Sequence, residues 1–249
     1  FNIFSFNPPI LIFSPSRRSR DNSTKDTLEN VLEVPQVTIS MVNYAMGQQI
    51  ALASKRFPKE VNEYTKAGLT PVKSELVEPP FVGEAPVSFE CAVDQVISLG
   101  KDAGAGNLVI SKIEKIHINE HCYCPDKLVD LEKLDLIGRM GGAYYCSTKP
   151  ATLFEIISPE TPIGIGFDQL PKNVLQSALL TGNDLGKLAA MPTIPSNELL
   201  QQFRENPEIK PILSKENPDE QLRQLHLKIK ALIEENRLEE ALLCVFLLQ

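Results

Sequence analysis

Val87-Ser88-Phe89-Glu90-Cys91-Ala92-Val93, then Gly104-Ala105-Gly106-Asn107, then Leu108-Val109-Ile110 running on through Ile113, Ile116 and Ile118, is the stretch on which the fold turns. Apolar and polar residues alternate through the first segment, which places one face of a strand in a core. The last segment reads as a second, longer strand. The glycines and the asparagine between them supply the turn chemistry of a hairpin.

Working outward, Ile10-Leu11-Ile12-Phe13 is a short apolar run after Pro8-Pro9 and reads as a buried strand. Val37-Thr38-Ile39-Ser40-Met41-Val42 alternates again. Strands at this spacing, joined by hairpins and loops, point to an antiparallel barrel or sandwich. Short helices interrupt them. Asp26, followed three residues later by Glu29, has the form of a capping box opening a helix over 27–33. Further helical stretches run over 46–54 and 60–67, the latter ending at Gly68.

Composition shifts at Ser158. Ser158-Pro159-Glu160-Thr161-Pro162 and Gly164-Ile165-Gly166 read as a linker, and the chain then turns helical. Val174, Leu175, Ala178 and Leu179 share one helix face. Asn217-Pro218-Asp219-Glu220 is a helix start with Asn as cap and Glu closing the box. Leu222, Leu225, Ile229, Leu232 and Ile233 form the apolar stripe that follows, Asn236 breaks the helix, and 238–248 forms another.

The chain has 249 residues, 43% of them hydrophobic, enough for one large domain or for a medium one and a smaller one. A net charge of -7 argues against a general nucleic-acid binder. No apolar run is long enough to span a bilayer, so no membrane role is expected. The start lacks a basic n-region with a cleavage site, and it lacks Met. It is read as N-terminally trimmed, without a signal peptide. The cysteines, Cys91, Cys122, Cys124, Cys146 and Cys244, are odd in number and irregularly spaced, which suits reduced thiols in a cytoplasmic protein.

The most chemically suggestive stretch is Phe13-Ser14-Pro15-Ser16-Arg17-Arg18-Ser19-Arg20 followed by Lys25-Asp26-Thr27. A strand ends, hydroxyls and guanidinium groups follow, and a helix begins. A helix N-terminus presents unpaired N–H groups and partial positive charge, and Arg and Lys add full charges. Together they make a phosphate cradle. The same residues also read as a solvated basic loop before an ordinary helix cap, and the local pattern favours neither.

Phe1-Asn2, Pro8-Pro9, Phe13-Ser14, Lys25-Asp26-Thr27 and Asn30 stand in the order and spacing seen in flavin reductase-like proteins. Downstream, Glu63-Tyr64, Ala67-Gly68-Leu69-Thr70, Ala85-Pro86-Val87-Ser88-Phe89-Glu90-Cys91 and Gly138-Arg139-Met140-Gly141-Gly142-Ala143-Tyr144-Tyr145 extend the match. The chain thus resembles that family over roughly residues 1 to 157. The family's pattern has further strands ahead of the Phe-Asn segment, which this sequence does not carry. The resemblance implies a mainly β chain: an antiparallel FMN-binding split β-barrel over 1–158, a linker over 159–171, and an α-helical C-terminal extension over 172–249. It implies a homodimer with FMN near the interface. Phe1 and Asn2 would lie along the flavin ring. Ser14, Ser16, Arg17 or Arg18, Lys25 and Thr27 would hold the phosphate, with Asp26 capping the helix and fixing the loop. Arg139 would meet the flavin or the nicotinamide dinucleotide, or pair with an acid across the dimer.

Such a protein needs no catalytic side chain, because hydride transfer belongs to the two cofactors and the protein binds and orients them. The leading expectation is a flavin reductase using NADH or NADPH and passing reduced flavin to a partner enzyme. Two rivals are an FMN electron carrier without nicotinamide activity and a non-enzymatic scaffold whose helical tail recruits a partner. Tyr144 and Tyr145 are aromatic candidates near the site, though packing is the more common fate of such residues. His117, His121, Cys122 and Cys124 carry zinc-type donors, but His117 sits on a strand and Cys-x-Cys is too close for the usual knuckle, so no metal is expected.

Overall fold

The computed structural model describes residues 2–154, 156 and 163–247. Two units divide the chain, Phe1–Phe154 and Glu155–Gln249. The first contains the strands β1 (Asn2–Phe6), β2 (Pro9–Phe13), β3 (Gln36–Ser40), β4 (Pro71–Val72), β5 (Phe81–Val82), β6 (Val87–Ser98), β7 (Asn107–Ile118), β8 (Ile137–Gly141) and β9 (Tyr144–Ser147). An antiparallel sheet of order β1-β2-β7-β6-β3 carries the unit, with β4-β5 and β8-β9 as separate ribbons. The long β6–β7 hairpin read from the sequence is its spine, pairing from Val87↔Ile118 to Ser98↔Asn107.

One face of that spine forms a core with Leu11, Val37, Val87, Phe89, Cys91 and Val109, closed by Val31 from helix α1 (Asp26–Glu33). Alternation would leave the opposite face wet, yet Ser88 and Glu90 are buried too. The segment leading into β5 covers them. Ser40 Oγ lies 2.8 Å from Ser88 Oγ and accepts from the Val82 N–H at 3.2 Å. Glu90 accepts from the N–H groups of Glu75, Leu76 and Val77 at 2.9, 2.6 and 3.2 Å. Polar residues are tolerated there because each finds a partner.

Helices α2 (Gly47–Ala53) and α3 (Glu63–Ala67) flank a smaller core of Met46, Ala67, Leu69 and Ala85. The second of them ends at Gly68 with φ of 65°, the left-handed stop expected there. A short helix, α4 (Leu131–Leu134), precedes the β8–β9 ribbon.

The second unit holds α5 (Lys172–Leu175), α6 (Gly182–Ala189), α7 (Asn197–Arg204), α8 (Lys210–Leu213), α9 (Pro218–Glu234) and α10 (Leu238–Phe246). Leu225, Ile229, Leu232 and Ile233 from the stripe on α9 pack with Ala241, Leu242, Val245 and Phe246 of α10. Asn217 caps α9 by accepting from the N–H groups of Asp219 and Glu220. Glu220 does not close a box: its carboxylate accepts from Gln224 Nε2 at 2.9 Å and faces Lys215. Asn236, with φ of 60°, ends α9 as expected. The shared face expected over 174–179 is not one helix. Ser177 Oγ accepts from the N–H groups of Leu179 and Leu180, which draws the backbone out of the helix after Leu175. Within 159–171, residues 159–162 lie outside the described residues. Ile165 and Gly166 donate to the carbonyls of Met191 and Ala189, and Leu170 is buried in the helical core. Among the described residues no helix is long and apolar enough to cross a membrane.

Candidate functional site

The connection from β2 to α1 is laid along the turn of the β6–β7 hairpin. Arg17 N donates to Ala105 O at 2.8 Å, Gly104 N donates to Arg17 O at 3.2 Å, and the buried Asn107 amide donates to Pro15 O at 3.0 Å. A Cβ on Gly106 would stand 2.6 Å from Ser14 Oγ, so glycine at that position makes room for the hydroxyl. Ser16 is half-buried in the same loop. Register pairs Asn2 with Ile12 on β2, two residues ahead of Ser14. The Asn2 side chain is exposed and its Oδ1 accepts from the Ile3 N–H at 2.9 Å. Phe1 lies outside the described residues.

Both guanidinium groups are engaged inside the loop. Arg17 donates from Nε to Asn22 Oδ1 at 2.7 Å and from Nη2 to the Asn22 carbonyl. Arg18 donates to Ser23 Oγ at 3.3 Å and to the Thr24 carbonyl, and pairs with Asp26 at 3.2 Å. They brace the loop rather than reach out of it. Asp26 is not the cap. Lys25 occupies that position with no side-chain acceptor, the helix begins at Asp26, and the Asp26 carboxylate turns to Arg18. Glu29 does not close a box either: it accepts from Thr24 Oγ1 at 2.7 Å and pairs with Lys59 at 3.2 Å.

An uncapped start leaves donors over. Among the described residues the backbone N–H groups of Asp26 and Thr27 have no acceptor, and the exposed Lys25 makes no ion pair. The acids nearby have their own partners. Hydrogen bonds from the Ser23 hydroxyl and backbone, with Arg56 beside them, hold Asp21 well below the usual carboxylate range. The Thr24 hydroxyl and then Lys59 lower Glu29. Lys25, Thr27 and two free N–H groups thus form a cationic, donor-rich end to α1.

Arg139 lies elsewhere, on β8, in a cleft of about 930 Å³ between α2 and the β8–β9 ribbon. The ribbon is held there by Ile137 N donating to Val42 O at 3.0 Å and Tyr44 N to Asp135 O at 2.9 Å. Tyr44, Lys55, Tyr145 and Cys146 line the cleft with Arg139. Tyr145 is half-exposed in this wall, and Tyr144 is more exposed still. The loop and the cleft are neighbours through Arg56, the residue after Lys55, because the Arg56 guanidinium pairs with Asp21 at 2.8 Å. Tyr44 and Lys55 went unread in the sequence. They meet Arg139 only through the folding of residues 42–55 against 135–147, which no spacing reveals.

The zinc-type residues are otherwise occupied. His117 Nε2 lies 2.5 Å from Glu90 Oε1, with its ring stacked on Phe81. Cys122 is buried, with Sγ 3.4 Å from His121 Nε2. Among the described residues no three His, Cys, Asp or Glu converge as a metal site.

Comparison with known proteins agrees with this layout. A protein of Aquifex aeolicus, itself uncharacterised, is 37% identical over 146 residues, covering 58% of this chain and 71% of that protein. The crystal structure of nitrilotriacetate monooxygenase component B from Bacillus cereus is similar with a TM-score of 0.56 at 29% identity, covering 62% of this chain and 75% of that one. Flavoredoxin of Desulfovibrio vulgaris shares the fold, with a TM-score of 0.51 at 23% identity, covering 64% of this chain and 78% of that one. A "putative flavin reductase with split barrel domain" from Shewanella frigidimarina shares the fold as well, with a TM-score of 0.53 at 22% identity, covering 63% of this chain and 75% of that one, so the antiparallel sheet and its ribbons are a split barrel, with a helical C-terminal region. The family model described as "Flavin reductase like domain" matches residues 1–131, and the chain belongs to that family.

Proposed function

We propose that this chain is an FMN-binding oxidoreductase that reduces flavin with NADH or NADPH, works as a homodimer with FMN near the interface, and passes reduced flavin to a partner enzyme. The observation that carries the reading is the uncapped N-terminus of α1, with the free N–H groups of Asp26 and Thr27 beside Lys25. That donor set suits a phosphate monoester: two backbone donors, one full positive charge and the Thr27 hydroxyl. Ser14 and Ser16 add hydroxyls at the strand end of the same loop. Arg17 and Arg18 keep the loop in shape, and Arg18 also neutralises Asp26. When bound, FMN supplies the two-electron redox chemistry. Asn2, paired in register with Ile12 on β2 two residues ahead of Ser14, is the residue we place along the flavin ring. The role of a partner enzyme is supported by the similar Bacillus cereus protein, which is one component of a monooxygenase.

The first test is the visible spectrum of the purified protein before and after FMN is added and the excess removed. Retained flavin, with oxidation of NADH or NADPH on mixing, is expected. In Lys25→Gln, flavin affinity should drop by about tenfold, because one charge-assisted contact to phosphate is lost. A full-length protein that retains no flavin would overturn the reading.

A further inference from the structure

The helical unit has a groove of its own, about 470 Å³, where α5 and the residues after it run past the first turns of α9. His226 forms its floor and is only 5% exposed. The ring's Nδ1 lies 2.9 Å from Ser177 Oγ. That hydroxyl already accepts from the N–H groups of Leu179 and Leu180, at 3.2 and 3.3 Å. Both oxygen lone pairs are thereby used, so the O–H donates to Nδ1. Burial pushes the imidazole pKa below its ordinary 6.5, which keeps the ring neutral at neutral pH. A neutral ring whose Nδ1 accepts carries its proton on Nε2. That Nε2 is buried and has no hydrogen-bond partner among the described residues. A buried donor without an acceptor is costly, and folded proteins rarely keep one.

The groove holds other donors left over by the fold. Arg223, one turn earlier on α9, lines it, is exposed and makes no ion pair among the described residues. Glu220, which feels the Arg223 charge, is engaged by Gln224 and Lys215. The Asn173 Oδ1 accepts from the Val174 N–H at 2.9 Å, which leaves its amide nitrogen over. Asp219 is the acid of the lining, and the first turn of α9 accounts for it, since a carboxylate there suits the helix dipole. Ala178, Leu179 and Leu222 add aliphatic surface. A carboxylate answers the imidazole N–H and the guanidinium together, whereas a neutral carbonyl would leave the guanidinium charge unmatched.

We infer that this groove binds a small aliphatic carboxylic acid, its carboxylate held by Arg223 and by the His226 Nε2–H. Leu222 and Arg223 are flexible side chains that yield as the head group reaches Nε2, and the aliphatic part lies on Ala178, Leu179 and Leu222. The same chemistry comes from two sources, a free short-chain acid and the C-terminal residue of a peptide. The site lies within the helical unit and uses none of the residues assigned to FMN, so it stands or falls apart from the function proposed above.

The test uses the full chain and the variant Arg223→Gln. The Arg223 side chain is exposed and makes no hydrogen bond among the described residues, so the variant should fold. Hexanoate and N-acetyl-leucine are titrated by calorimetry, with hexanamide as the uncharged match. Nitrogen-15 NMR follows the imidazoles, of which the chain has three. The expected result is a His226 ring protonated on Nε2 before ligand is added and saturable binding of at least one acid. Binding should move the Nε2–H proton downfield and be weakened about tenfold in the variant. Hexanoate alone assigns the groove to a free acid, N-acetyl-leucine alone assigns it to a chain end, and binding of both supports the shared chemistry. No binding of either acid, equal binding of hexanamide, or equal affinity in Arg223→Gln overturns the inference. So does binding that leaves the His226 signals unmoved, or an unliganded ring protonated on Nδ1.

Discussion

Glu90 is the residue whose placement costs most and gives most. Its carboxylate is fully buried, and it accepts from three successive backbone N–H groups and from His117. Burial alone would raise its pKa. The N–H of Glu75, His117 and the N–H of Leu76 together outweigh burial, so the carboxyl titrates below its ordinary 4.5. A lowered folded pKa means the ionised form is the one the fold prefers. The stability it contributes is full above the unfolded value and fades as pH falls through the lower folded value. Glu90→Ala should therefore cost about 3 kcal/mol in urea unfolding at neutral pH, since it leaves several buried donors unpaired. Glu90→Gln should flatten the acid limb of the stability profile. An acid limb identical to wild type would remove Glu90 from this role. In the sequence the residue looked like the wet side of an alternating strand, because alternation reports two faces and not what covers each of them.

At the scale of elements, legibility followed burial. The β6–β7 hairpin was readable because its core face repeats Val87, Phe89 and Cys91 at every second position. The ribbon β8–β9 and the edge strand β1 were not, because most of their side chains are exposed and no period of burial stamps them. The loop from β2 to α1 was visible as a cluster of hydroxyls and cations, but the uses of Arg17, Arg18 and Asp26 were not, since those are decided by which partner folds within reach. The cleft was invisible because its two walls lie some ninety positions apart in sequence, as Lys55 and Tyr145 illustrate. The start of the helical unit has a similar hidden constraint. A Cβ on Gly164 would lie 2.4 Å from the Ala189 carbonyl oxygen and 2.6 Å from Ala190 Cα, both backbone atoms that cannot swing aside. Gly164→Ala should destabilise the helical unit by about 2 kcal/mol, read by far-ultraviolet circular dichroism in urea. An unchanged midpoint would mean that residues 163–166 leave their seat on α6 without cost.

For the whole molecule, the two units offer separate signals. The five tyrosines, Tyr44, Tyr64, Tyr123, Tyr144 and Tyr145, all lie in the β unit, and the chain has no Trp. Tyrosine emission therefore follows the split barrel, while helical circular dichroism is weighted to the second unit. Leu232 is fully buried between α9 and α10. Leu232→Ala should cost the helical unit about 3 kcal/mol and leave the tyrosine-detected transition in place. A tyrosine transition that shifts equally would show that the two units unfold as one. The cleft between α2 and the β8–β9 ribbon is lined by no Asp or Glu, and that has a consequence of its own in a molecule this acidic. Beyond a Debye length of about 8 Å salt screens the chain's net negative charge from an approaching anion, and at close range it is Lys55 and Arg139 that line the cleft it meets. Added salt weakens the local attraction as well, so the positive potential of this acid-free cleft is strongest at low ionic strength.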